Sequence, residues 1–139
     1  MSERRFPSAR AYGVAVRDAH VLLVRARRRG DNDTVWWWLP GGGIDFLEAP
    51  ADAVIREVHE ETGLSAHSPR LLDVTSDVRT RRDGTSVHTI RILYAVELYE
   101  GELIHEADGS TDLARWWSLD ELDTIDLADY AREAIALAL

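Results

Sequence analysis

Two residue types are missing from this 139-residue chain, cysteine and lysine. Without cysteine there is no disulfide, no thiolate zinc site and no thiol nucleophile. Without lysine there is neither a phosphate-loop lysine nor a Schiff-base lysine, and all 16 basic residues are arginine. That usage reads as the imprint of a GC-rich coding sequence. Long hydrophobic runs are missing too. Residues 21–24 and 35–40 fall far short of the ~20 apolar residues that a spanning helix needs. No apolar core follows the basic N-terminus, as a signal peptide requires. We expect a soluble, cytoplasmic chain with no membrane partner.

What is present suits a globular domain. Hydrophobic residues make up 45% and charged residues 29%, which excludes disordered and fibrous classes. The length suits one domain over residues 1–139. The net charge is −9. Residues 1–30 carry eight arginines against Glu3 and Asp18, so the remainder is strongly acidic. The overall sign disfavours non-specific nucleic-acid binding. An acidic body with a local arginine cluster suits a small anion carried with a metal cation, or simply a solvated surface.

Strands and helices alternate. Residues 12–16 and 20–27 read as strands around a tight break at Asp18-Ala19. Residues 28–34 read as a polar loop and 35–39 as a short aromatic strand. The glycines 41–43 read as a break in regular structure. Residues 50–62 form the best helix: Pro50 suits its first turn, Asp52 its positive end and Gly63 its stop. Ala49 offers no capping oxygen. Strands are expected at 71–78, 87–98, 102–105 and 114–117. A short helical turn at 119–122 and an amphipathic helix over 126–139 complete the chain. The mixture points to α/β or α+β layers with helices covering a sheet.

The chemistry lies on the helix 50–62. At ~100° per residue, Ala51, Val54, Ile55, Val58 and Thr62 form a stripe toward the sheet. Glu57, Glu60 and Glu61 fall beside it at i, i+3, i+4, so their carboxylates are expected to converge. A divalent cation with oxygen ligands offsets such repulsion, and Mg²⁺ or Mn²⁺ favours carboxylates with water and phosphate. Arg56, four residues before Glu60, can pair with a carboxylate of this group. For three glutamates at this spacing alone, a solvated acidic face is the commoner explanation. The glycines shift the balance, because their backbone can approach an ion or phosphate closely just before a helix start.

Residues 42–64 read GGIDFLEAPADAVIREVHEETGL. This segment resembles the Nudix box: G, five residues, E, seven residues, then R-E-apolar-x-E-E-x-G-apolar. Gly42, Glu48, Arg56, Glu57, Val58, Glu60, Glu61, Gly63 and Leu64 fill every fixed position. The flanking strands resemble the same family, so the likeness covers most of the chain. Asp45 and Leu47 depart from the Glu and Gly common in relatives, which bears on loop shape and substrate subclass rather than on metal binding.

The resemblance implies an α/β/α sandwich with a mixed β-sheet. It implies hydrolysis of a nucleoside diphosphate linked to a further group, the partner being a small nucleotide. Mg²⁺ or Mn²⁺ would be held by Glu57, Glu60, Glu61 and the Gly41 carbonyl, with Glu48 assisting. Arg56 would orient a catalytic carboxylate. The general base is expected at Glu57, or later, at Glu106, Asp108 or Asp112. The substrate is expected to be a nucleoside triphosphate, ordinary or oxidised, giving a monophosphate and pyrophosphate; ADP-ribose or another nucleoside diphosphate sugar is the alternative. A non-catalytic nucleotide-binding module and an inert acidic domain are the rivals from other classes. A monomer or homodimer is expected.

Arg25 and Arg27 share a strand face. They would grip phosphates if that face borders the box, and otherwise form a solvated basic edge. Trp36 and Trp38 share one face and Trp37 takes the other. They are read as core on both sides, with base stacking as the alternative. His59 is read as surface.

Overall fold

A computed structural model of the chain describes residues 5–27, 35–104 and 111–139. The elements run β1 (Arg5–Val14), β2 (Val16–Arg17), β3 (His20–Arg27), β4 (Val35–Trp38), β5 (Gly41–Gly43), α1 (Pro50–Thr62), β6 (Ala66–Thr80), β7 (Ser86–Leu98) and β8 (Thr111–Ser118). A 3₁₀ turn (Leu119–Thr124) and α2 (Asp129–Ala138) follow. The strands form two four-stranded sheets. One has the order β5-β1-β7-β6; in the other β3 pairs with β2, β4 and β8. The first sheet is mixed: β1 runs parallel to β7 and antiparallel to β5, while β6 and β7 are antiparallel.

Side-chain alternation divides the strands between two apolar clusters. Ala11, Ala15, Leu22, Val24 and Ala114 pack with Val54 and Val58 of α1. Tyr12, Val14, Val21, Leu23 and Trp117 pack with Ala131, Ala134 and Ile135 of α2. The architecture is α/β, with one helix in each cluster. Small residues let α1 approach: a Cβ on Gly13 would stand 3.1 Å from Cγ2 of Val54. Among the described residues, no helix is long and apolar enough to cross a membrane.

The α1 boundaries match the sequence expectation at both ends. Ala49 makes no side-chain cap, Pro50 opens the first turn, and Gly63 ends the helix with φ 81°. A Cβ on Gly63 would lie 2.6 Å from Ile104, so both backbone and space exclude a larger residue. At Asp18 and Ala19 both φ values are positive, 52° and 62°, as a two-residue hairpin turn between twisted strands requires.

Three expectations are corrected. Glycines 41–43 are not a break but strand β5, paired with residues 10–12 of β1. Glycine carries no side-chain pattern to announce a strand; the partner strand, thirty residues earlier, supplies the order. Residues 102–104 are not a strand. The buried face of α1 comprises Ala53, Val54, Val58, Glu61 and Thr62, one step round from the expected stripe. Ala51 and Ile55 are only half-buried. The loop at 28–34 lies outside the described residues.

Candidate active site

Arg56 organises the acidic cluster. Its Nε and Nη2 donate to the two oxygens of Glu48, both at 2.8 Å. Nη2 also donates to the Gly43 carbonyl at 2.9 Å. Nη1 donates to Glu57 at 3.0 Å and to Glu60 at 3.2 Å. Asp45 lies 3.4 Å from Nε. A planar guanidinium with five donors in fixed directions meets this demand, and an ammonium does not. The hydrogen bonds that Arg56 donates to Glu48 and then to Glu57 raise its pKa despite its partial burial. Reciprocally, the Arg56 hydrogen bonds, with one from the Asp45 backbone N–H, lower the Glu48 carboxyl from 4.5 to about 2.

The sequence pattern places three glutamates together; the structure grades them across the helix. Glu61 is buried, and the Glu57 and Glu60 side chains are 15% and 50% exposed. Among the described residues, no three acidic or imidazole side chains are gathered closely enough to hold a metal ion. The guanidinium of Arg56 sits between Glu48, Glu57 and Glu60 instead. The donor chemistry is nevertheless that of a hard cation: carboxylates beside a glycine-rich backbone. The backbone also reserves the space. A Cβ on Gly42 would stand 2.8 Å from the Glu57 carboxylate, and one on Gly41 would lie 2.2 Å from the Ala11 carbonyl. Only glycines let β5, β1 and the Glu57 carboxylate come this close.

Beside this cluster lies a cleft of about 390 Å³. One wall is Trp36 and Trp38 of β4; another carries Arg10, Arg79 and Arg91, with Arg81 from the β6–β7 turn. Arg10 Nε donates to the Tyr12 hydroxyl at 2.7 Å. Burial opposes the Arg10 charge, but Tyr12, Tyr130 and Glu57 outweigh it and raise its pKa. Arg10 thus connects the cleft electrically to the carboxylate cluster. Arg10 and Arg91 are direct partners in the parallel β1–β7 register. Neither is singled out by the sequence pattern. An earlier start for β1 would have exposed Arg10, but its pairing with Arg91 depends on a contact across 81 residues.

The remaining site candidates fall elsewhere. Arg25 shares the β3 face of Val21 and Leu23, which pack in the α2 cluster, whereas Leu22 and Val24 face α1. Its face is therefore not the one that borders the box helix. Glu106 and Asp108 lie outside the described residues, as do the side chains of Arg27 and Asp112. Trp37 is buried core, as expected. Trp38 packs against the α1 cluster, as expected of a core residue, and with Trp36 it also lines the cleft; both are half-buried, and their rings meet edge to face at 6.0 Å. His59 is exposed, as expected.

The NUDIX domain family model matches residues 7–138. The crystal structure of a MutT NUDIX hydrolase from Burkholderia pseudomallei superposes with TM-score 0.79 at 28% identity, covering 96% of this chain and 99% of that one. The Nudix hydrolase YvcI of Bacillus subtilis (strain 168) is 28% identical over 80% of this chain and 66% of its own length. Human diphosphoinositol polyphosphate phosphohydrolase 3-beta is 36% identical over 60% of this chain and 49% of its own. The chain thus spans about half to two thirds of the length of these two curated relatives.

Proposed function

The chain belongs to the Nudix family, and from that premise we propose that it hydrolyses the diphosphate linkage of a nucleoside triphosphate to a monophosphate and pyrophosphate. The single observation that carries the reading is the Glu57 carboxylate, seated over Gly42, held by Arg56 and within the electrostatic reach of Arg10.

Mg²⁺ or Mn²⁺ belongs to this reading, with Glu57, Glu60, Glu61 and the Gly41 carbonyl as its donors and Glu48 assisting. When bound, it supplies charge neutralisation of the diphosphate oxygens and acidifies a water. The chain's residues do the rest. Glu57 accepts the proton of the attacking water, a role for which a positioned carboxylate is suited. A new oxygen–phosphorus bond forms, the bridging oxygen–phosphorus bond breaks, and its electron pair leaves with pyrophosphate. Arg56 is a positioning residue: it touches Glu48, Glu57 and Glu60 and fixes their orientation. Arg10 faces the negative charge of the phosphates. Glu106 is the second candidate for the base.

The test is a substrate panel with Mg²⁺ and with Mn²⁺, comparing wild type with Glu61→Gln. The panel contains nucleoside triphosphates, ADP-ribose, nucleoside diphosphate sugars and a diphosphoinositol polyphosphate. We expect triphosphate turnover that falls roughly a hundredfold in the variant, as for a disturbed metal site. Equal rates for both proteins on every diphosphate would end the catalytic reading. ADP-ribose as the favoured substrate would replace the triphosphate and leave the reaction type intact.

A further inference from the structure

We infer that the cleft beside the carboxylate cluster is a pocket for an aromatic base and its phosphates, and that Trp36 and Trp38 determine substrate class by stacking. The inference deepens the nucleotide reading above and rests on it for the reaction, but not for binding.

Three observations carry it. First, both indoles are half-buried and line the cleft, Trp38 with part of its ring packed against the α1 cluster and the rest open to the cleft, the mixed setting tryptophan suits at binding surfaces. Trp37, between them, is buried against Trp117 with ring centroids 5.0 Å apart. Trp36 and Trp38 face the cleft at an interplanar angle of 86°. Perpendicular indoles do not sandwich a ring between them. One offers its face for stacking while the other meets the ring at its edge. Second, the cleft is basic in an acidic protein. Its lining carries Arg10, Arg79, Arg81 and Arg91, and among the described lining residues Asp77 is the one acid, paired with Arg91. A triphosphate has the charge to match this excess. Third, the Nε of Arg91 is buried without a hydrogen-bond partner. A buried, unspent guanidinium donor is expensive until an acceptor arrives, and phosphate is its natural acceptor.

The volume of 390 Å³ falls near the small end of ligand pockets, roughly 300–1,000 Å³. That suits one ring system with its phosphates. A polyphosphorylated alicyclic ring would use the arginines and leave both indoles bare. A nucleotide uses both, and guanidinium planes can cover the ring face away from the indole.

The experiment measures binding without turnover. Titrate the protein in EDTA with ATP, UTP and inorganic tripolyphosphate, by calorimetry, using wild type, Trp36→Ala, Trp38→Ala and the corresponding Phe variants. Wild type should bind both nucleotides more tightly than tripolyphosphate, by roughly 5- to 150-fold for one stacked base. The advantage should vanish in at least one Ala variant, persist in its Phe counterpart, and leave tripolyphosphate affinity unchanged. Arg79→Gln should weaken all three ligands together. Tripolyphosphate binding as tightly as ATP, a preference that survives both Ala substitutions, or no nucleotide binding at all would each overturn the inference. Failure of hydrolysis with binding intact would instead count against the catalytic proposal alone.

Discussion

The Glu57 carboxylate fills the space where Gly42 has no side chain: a Cβ there would stand 2.8 Å from its carbon and from both oxygens. The atoms in the way belong to the tip of a flexible side chain rather than to backbone. Gly42→Ala should therefore keep the fold and move the carboxylate. We expect activity to fall roughly 10- to 100-fold, as for lost support of a metal-site ligand, with the melting temperature nearly unchanged. Steady-state kinetics beside a thermal melt check this. A large loss of stability would place the clash in the β5–β1 backbone instead.

Arg56 gives a complementary expectation. Its contacts to Gly43, Glu48, Glu57 and Glu60 use the whole guanidinium fork. Lysine keeps the charge and loses the fork. Arg56→Lys should cost roughly 1–2 kcal/mol, since charge-assisted bonds are lost from a partly buried residue. Urea unfolding measures it. Retention of full stability would mean that the fork geometry contributes nothing.

Glu48 makes the cluster pH-sensitive in a defined direction. Arg56 holds its folded carboxyl at about 2, against 4.5 for an unperturbed one. A depressed folded pKa contributes stability that is present above the unfolded value and lost as the pH falls through the folded one. In EDTA, wild type should melt above Glu48→Gln by a constant margin above pH ~5, and the margin should shrink between about 4.5 and about 2. A margin that stays constant down to pH 2, measured by calorimetry, would show that the Arg56–Glu48 pair does not couple to folding.

Helix α1 is legible from local signals alone. Pro50 and Gly63 mark its ends within the segment itself, and the i, i+4 spacing announces the contact of Arg56 with Glu60. The box glutamates are legible as a group, but their grading from buried Glu61 to exposed Glu60 is not, because it depends on how α1 rolls over Gly13 and β1. The cleft is the least legible part. Arg10 and Arg91 meet through a parallel register, and Trp36 and Trp38 take their role from what faces them across the cleft. Nothing in the five residues around either tryptophan separates core from cleft. The glycine strand 41–43 is hidden for the same reason, its order lying in β1.

Leu47 supplies the sharpest test of the loop between β5 and α1. Its φ is 69°, in the left-handed region, and it is 91% exposed. An L-residue there costs about 1–2 kcal/mol relative to the right-handed conformation. Packing does not offset that cost, since both Leu47 and the neighbouring Phe46 point into solvent. Glycine adopts the conformation freely, and its extra freedom in the unfolded chain costs about 0.5–1 kcal/mol. The difference favours the variant, so Leu47→Gly should stabilise the protein by roughly 0.5–1 kcal/mol. Thermal melts of wild type, Leu47→Gly and Leu47→Ala separate the causes. If backbone strain is responsible, glycine raises the melting temperature and alanine does not. If the exposed side chain is responsible, the two variants rise together, and the left-handed geometry carries no penalty at this position.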